Sequence, residues 1–233
     1  MPHPSTDVAR ALAEVAHSIN VHRTLDETLD AIVRSARASV PGFDHVGISV
    51  VHGKDRIETK AATDQLVWDL DEVQYSLGEG PCYESVVEAP TVVSEHLRRD
   101  QRWPRYVPKA AKQGVRSQMA YRLYVEGETL GGLNFYSTES DTLEEGAREI
   151  GELFARHATI ALSRAIQEDQ LNAALTTRGL IGQAIGLTMA KFGITSDRAF
   201  QFLVRASSTS NIKLRDIAEE VVSQANAEYD SRS

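Results

Sequence analysis

Near the C-terminal end of this sequence, Arg205, Ser207, Asn211, Lys213 and Arg215 fall close together, with Arg178 and Gln183 upstream of them. Guanidinium groups stack on bases and fork onto phosphates, amides read hydrogen-bonding edges, and a lysine ammonium holds a phosphate as a point charge. Helix N-termini in such a corner add backbone N–H groups that suit anions. The set fits contact with structured RNA, whose loops and splayed bases are the usual targets of sequence-specific recognition. Taken alone, it also fits a solvated polar turn that caps the next helix, the commoner meaning of such a run. Residues 178–227 hold six Lys+Arg against four Asp+Glu, a net of +2, within a chain whose total is −8, which leaves −10 on the remainder. That balance excludes a generic polyanion binder and suits either a small, confined nucleic-acid contact or a solvated helix pair.

Other candidate chemistry is sparser. Cys82 is the only cysteine. It can be a redox sensor, an attachment point for a chromophore, or a small buried residue at a helix start, and the last is the usual state of a lone cysteine. Trp103, Met119 and Tyr121 join Cys82 as candidate ligand-pocket residues, although no cofactor or ligand identity is legible. Gly78-Glu79-Gly80 lacks the third glycine of a dinucleotide fingerprint and the Gly-Lys-Ser/Thr ending of a P-loop, so these glycines suit a tight turn. His3, His17, His22, His45, His52, His96 and His157 are scattered without metal-ligand spacing, and no metal site is expected. With no nucleophile elbow, kinase set or paired-carboxylate signature, no enzyme is expected.

The elements that would carry these residues follow from periodicity. Ser5 to Asn20 has helical spacing of Val8, Leu12, Val15 and Ile19. Thr24-Leu25-Asp26-Glu27 is a capping box opening a helix to about Val40, where Pro41-Gly42 stops it. The period then drops to two across Val46, Ile48 and Val50, with a turn at His52 to Asp55 leading into Ile57 to Ala62. Asp64 to Tyr75 reads as helical or irregular, Pro81 starts a helix over Cys82 to Glu88, and Thr91 to Ser94 is a short strand. A helix ends at Gly114, and two long strands, Val115 to Val125 and Thr129 to Ser137, flank Glu126-Gly127-Glu128. This order is α+β, an antiparallel sheet flanked by helices. With one cysteine, no apolar run of about 18 residues and no signal peptide in MPHPSTD, a cytoplasmic protein without membrane contact is expected.

From Leu143 to Thr177 no proline occurs, and no glycine after Gly151. Ile150, Leu153, Phe154, His157, Ile160, Ala161, Leu171 and Leu175 approximate a heptad seam interrupted by Arg164, Gln167 and Glu168. The spacing fits a parallel coiled-coil dimer, or a helix that packs on its own sheet at first and is solvated later. Three short amphipathic helices follow. The first ends in Phe192-Gly193, the second opens after Thr195 or Ser196, and the third follows Asn211 as N-cap. Ala184, Leu187, Met189, Phe200, Leu203, Leu214 and Ile217 are the expected bundle core.

Ile181-Gly182-Gln183-Ala184, Gly186-Leu187-x-Met189, Ala199-Phe200, Arg205-Ala206-Ser207 and Asn211-x-Lys213-Leu214-x-x-Ile217-Ala218 resemble the ANTAR domain, a family of bacterial RNA-binding modules of transcription antitermination. Many members carry Ala-Lys-Gly in the first helix where this chain has Ile185 in the middle. Upstream, Leu77-Gly78-Glu79-Gly80-Pro81-Cys82, Arg102-Trp103-Pro104, Gly114-Val115-Arg116-Ser117 and Gly131-Gly132-Leu133-Asn134-Phe135-Tyr136 resemble a GAF domain, a small-molecule sensory module. The resemblances imply a GAF-like domain over 1–160, a helical coiled-coil linker over 143–177 and an ANTAR-like three-helix domain over 171–227. They imply a homodimeric regulator that binds leader-RNA hairpins as an antiterminator, with a small-molecule or protein signal at the GAF-like domain. The rivals are a protein-docking regulator without RNA, a redox-sensing GAF protein using Cys82, a GAF reductase, and a DNA-binding helix-turn-helix.

Overall fold

A computed structural model describes residues 24–53 and 56–230, together with Ala13. The expected helix over Ser5 to Asn20 and the turn residues Lys54 and Asp55 lie outside the described residues, apart from Ala13. The chain divides into two compact units, Met1–Ala165 and Ile166–Ser233.

In the first unit, α1 (Leu25–Ser39) opens on a complete capping box. Thr24 Oγ1 accepts from the Glu27 N–H at 3.3 Å, and Glu27 Oε2 accepts from the Thr24 N–H at 3.0 Å. The strands are β1 (His45–His52), β2 (Arg56–Ala62), β3 (Thr91–Ser94), β4 (Ser117–Val125) and β5 (Glu128–Ser137), in the antiparallel order β2-β1-β5-β4-β3. A two-residue loop, Glu126-Gly127, joins β4 to β5 with both φ positive, at 48° and 98°, the twist a tight hairpin needs. Between β2 and β3 come α2 (Gln65–Leu77), whose N–H of Leu66 is capped by Asp64, and α3 (Pro81–Val87); α4 (Val107–Lys112) precedes β4. The segment read as helical or irregular after Asp64 is therefore helix.

The sheet is covered on both faces, and the two faces differ in kind. One carries Val46, Ile48, Met119, Tyr121, Leu123, Leu133 and Phe135, an apolar set. Phe135 packs at 5.6 Å between ring centroids on Phe43 and edge-on against Tyr121 at 6.1 Å. Each fully buried side chain of this kind contributes about 1.5–3 kcal/mol. The opposite face carries Ser49, Thr59, Gln118, Asn134 and Tyr136, all buried.

Helix α5 (Ala147–Phe192) is 46 residues long and runs from the first unit into the second. The linker and the first bundle helix are thus one helix, not two: nothing between Thr177 and Leu180 breaks the hydrogen-bond ladder, and Gly179 and Gly182 are tolerated within it. The seam residues do not share one role. Phe154 and Ala161 are buried, with Ala147, Ala158 and Leu162, whereas Leu153, Ile160, Leu171 and Leu175 are exposed.

In the second unit, α5 is followed by α6 (Ser196–Ser210) and α7 (Leu214–Asp230). Ala184, Leu203 and Ala218 are fully buried, with Leu180, Ile181, Ile185, Leu214, Ile217, Val221 and Val222 packed against them. Two expected core residues are corrected: Leu187 and Phe200 are exposed, because the core volume is filled by alanines, Leu203 and Thr188. Asn211 is also corrected. It does not cap the third helix but ends the second one in the left-handed region, φ 55°, with its N–H donating to Ser207 O, a conformation asparagine tolerates better than most residues.

Candidate functional site

On the polar face of the sheet the groups converge on one carboxylate. Asp71, fully buried on α2, accepts from Thr59 Oγ1 at 2.7 Å, from Tyr136 through a very short hydrogen bond, and from Asn134 Nδ2 at 3.4 and 3.5 Å. Burial pushes its pKa up to about 6, and the hydrogen bonds from Tyr136, Thr59, Tyr75 and Asn134 pull in the other direction. Gln74, one turn on, donates to Tyr136 Oη at 2.8 Å and accepts from the Cys82 N–H at 2.8 Å and Gln118 Nε2 at 3.2 Å. Tyr106 Oη extends the chain by donating to Gln118 Oε1 at 2.7 Å.

The glycines read as a tight turn serve this network. Gly78 ends α2 with φ 63°, and Gly80, φ 117°, precedes α3 so closely over Gln74 that an added Cβ would run into its side chain. Between them Glu79 accepts from Arg105 Nε at 2.6 Å and from the N–H groups of Arg105 and Tyr106 at 2.8 and 3.2 Å. These contacts, the Arg105 bond foremost, hold its carboxyl below the ordinary range.

Cys82 sits at the start of α3, fully buried, 3.5 Å from Tyr75 Oη and 3.7 Å from Ser49 Oγ. Burial first, and then the Asp71 charge, push its thiol well above the ordinary range, so it is held protonated. Trp103 is buried beside Tyr106 and Tyr136 in an apolar cluster, and its Nε1 donates to Glu84 at 2.9 Å. Met119 and Tyr121 lie on the other face of the sheet. Tyr121 Oη donates to Arg148 O at 2.6 Å, and both side chains crowd against Gly151 of α5. The four pocket candidates therefore do not converge. Strand alternation reverses between Gln118 and Met119, which spacing shows without showing which face a helix will cover.

The residues that sequence reasoning passed over are Asp71, Gln74, Asn134 and Arg122. For Asn134 and Arg122 the signal was polar side chains on strands covered from both sides; Asp71 and Gln74 lie on α2, where polarity alone suggests a solvated face. Two buried atoms there have no hydrogen-bond partner among the described residues: Asn134 Oδ1, and Nη2 of Arg122, whose Nε donates to Ser85 O at 2.7 Å.

In the second unit, Arg178, Gln183, Arg205, Asn211, Lys213 and Arg215 are exposed, and Ser207 is half-buried. Ser207 is committed to the turn, its Oγ donating to Ile212 O at 2.5 Å. Arg215 Nε lies 3.2 Å from Asp216 Oδ1. Arg178, Arg205 and Lys213 have no ion pair among the described residues. Ile185, the position that departs from Ala-Lys-Gly, packs against the core and so presents no charge.

Residues 22–163 match the GAF domain model, more than half of the chain, and residues 169–222 match the ANTAR domain model. The chain belongs to the GAF family and carries an ANTAR domain behind it. A GAF sensory domain followed by an ANTAR domain is the composition of a regulator. Solved structures agree on the fold. A free methionine-R-sulfoxide reductase from Neisseria meningitidis superposes with a TM-score of 0.56 at 17% identity, over 72% of this chain and 95% of that one. The GAF domain of an Acinetobacter phosphoenolpyruvate-protein phosphotransferase gives 0.55 at 14%, over 70% and 97%. The photosensory core module of a Stigmatella aurantiaca phytochrome gives 0.58 at 13%, over 84% and 44%. No curated protein matches the chain in sequence. Among the described residues no group of His, Cys, Asp and Glu is arranged to hold a metal, and no helix is long and apolar enough to cross a membrane.

Proposed function

We propose that this chain is a signal-responsive RNA-binding regulator whose ANTAR domain binds hairpins in a nascent leader transcript and so acts as an antiterminator, under control of its GAF domain. The observation that carries the reading is the match of residues 169–222, across all three bundle helices, to the ANTAR model. The exposed Arg178, Arg205 and Lys213, which have no ion pair among the described residues, supply the phosphate and base contacts, with Gln183 and Arg215 beside them. Ser207 and Asn211 shape the corner more than they contact RNA, given their bonds within the turn.

The GAF domain supplies the input and no catalysis. A cysteine-based reductase or redox sensor needs an accessible thiolate, and Cys82 is buried and held protonated. The orphaned donor on Arg122 and acceptor on Asn134 are the groups that a bound small molecule would satisfy. A parallel homodimer through the exposed Leu153, Ile160, Leu171 and Leu175 gives each RNA two binding units, and two weak contacts gain by effective concentration. A monomeric mass at micromolar concentration would remove that part of the reading.

The test is equilibrium binding of the full chain to a two-hairpin leader RNA across a salt series, beside Lys213→Ala and Arg205→Ala. Saturable binding is expected to require both hairpins, and each substitution is expected to weaken it and to lower the salt slope by about one. Binding no tighter than to an arbitrary strand would end the RNA reading.

A further inference from the structure

The second unit leaves an aromatic pair uncovered. Phe192, at the end of α5, and Phe202, in the middle of α6, are 54% and 50% exposed, and their ring centroids lie 5.5 Å apart at an interplanar angle of 43°. They border a groove of about 500 Å³ that Leu187, Lys191, Val221 and Gln224 complete. Single exposed apolar residues are ordinary on any protein. Two phenylalanines in mutual contact at the rim of one groove are not, since each forgoes burial that the adjacent core could have used.

Charge decides between occupants. Lys191 lines the groove, and Arg198 and Arg205 stand four residues before and three after Phe202, on the same side of α6. All three are exposed, and none has an ion pair among the described residues. Two acids stand close by: Asp197 precedes Arg198 in the first turn of α6, and Glu220, one turn before Gln224 on α7, accepts from its amide at 3.2 Å, yet neither pairs with these cations. Aromatic faces interleaved with free cations are what an unpaired nucleobase on a phosphate backbone requires: the ring stacks and the cations track the strand. An amphipathic protein helix would be served by the apolar floor alone and would gain little from three unpaired cations.

We propose that the Phe192–Phe202 groove is a nucleobase-stacking site, in which an unpaired loop base rests on the Phe202 ring while Lys191, Arg198 and Arg205 hold the flanking phosphates. The site rests on the RNA-binding reading and adds to it an aromatic platform on which one splayed loop base stacks. It centres on the middle of α6 and shares Arg205 with the Asn211 corner.

The experiment compares the full chain with Phe202→Leu, Phe202→Tyr and Phe192→Leu, using a two-hairpin RNA with adenine loops and the same RNA with abasic loop positions. Leucine keeps apolar area and loses the aromatic face, and at a half-exposed position it leaves the fold intact, which far-UV circular dichroism verifies. Phe202→Leu and the abasic loop are each expected to weaken binding roughly tenfold or more, Phe202→Tyr to retain it, and the combination of Leu with the abasic loop to add nothing further. The salt slope stays unchanged in Phe202→Leu. Equal affinity of Phe202→Leu and the parent, while Lys213→Ala still weakens binding, overturns the stacking site and leaves the RNA reading standing. Absence of saturable RNA binding by the parent overturns both, and the groove is then a surface for another protein.

Discussion

The GAF unit buries many large side chains, among them Tyr106, Tyr136, Phe135 and Phe154, though Trp68 and Tyr124 stand outside, whereas the ANTAR unit buries Ala184, Ala199, Leu203 and Ala218 and leaves Phe192, Phe200, Phe202 and Ile212 outside. Small residues let three helices approach closely, but they remove little apolar area from water, so the bundle gains little from its own core. Large side chains at its surface are then available to something other than the fold. A second contrast lies within the GAF sheet, where one face is packed with apolar groups and the other with a hydrogen-bonded layer around Asp71. The apolar face secures the domain. The polar face holds groups whose charge and partners can change.

The sharpest way to break the first contrast is Leu203→Ala, the one large side chain at the centre of the bundle. A loss of about 2–5 kcal/mol is expected, enough to strip amide-exchange protection from Ser196–Ser210 and the helix after it while strands β1 to β5 keep theirs. Protection that survives in α6 would mean that the small core is not what holds the unit. The second contrast is tested by pH. Asp71 is held at about 6 in the folded state, above the ordinary carboxylate value of about 3.9. The folded state therefore takes up this proton more readily than the unfolded chain. The stabilising share is full below about pH 4 and is lost as pH rises through about 6, on the order of 3 kcal/mol in all. Thermal unfolding of the GAF unit should shift between pH 5 and pH 7.5 by a different amount in Asp71→Asn than in the parent, the parent being relatively favoured at the lower pH. Identical pH dependence in the two proteins would show that Asp71 does not titrate in this window. Smaller still is Thr24→Ala, which removes the capping box of α1 and should cost about 1 kcal/mol, read as a lower urea midpoint. Glu152→Gln, which breaks the exposed ion pair with Arg156 at 2.7 Å, is expected to change stability by less than about 0.5 kcal/mol and calibrates that reading.

Much of the fold was legible because it is written locally. The capping box at Thr24, the two-period strands, Pro41-Gly42 as a stop and the Glu126-Gly127 turn each depend on residues a few positions apart. The candidate sites were legible in part. The cations near Asn211 stand exposed as their polarity suggests, yet Ser207 and Asn211 turn out to be occupied in shaping the corner. Cys82 was visible as a residue type, but whether it is a thiolate depends on its burial and on Asp71 and Tyr75 of α2 and Ser49 of β1, which come from two other elements. Met119 and Tyr121 share the alternation of β4 with one another and with nothing on the Cys82 side.

The order of the GAF strands and helices, the Thr24 capping box, the Glu126-Gly127 turn and the two family patterns were determined by the sequence alone, since they follow from spacing along the chain. Only the tertiary structure decided that α5 continues unbroken into the bundle, that the polar side chains of the strands meet one buried carboxylate, and that Phe192 and Phe202 stay outside while alanines fill the core. Burial and charge depend on what packs across space, and a side chain carries no local mark of which neighbour will cover it.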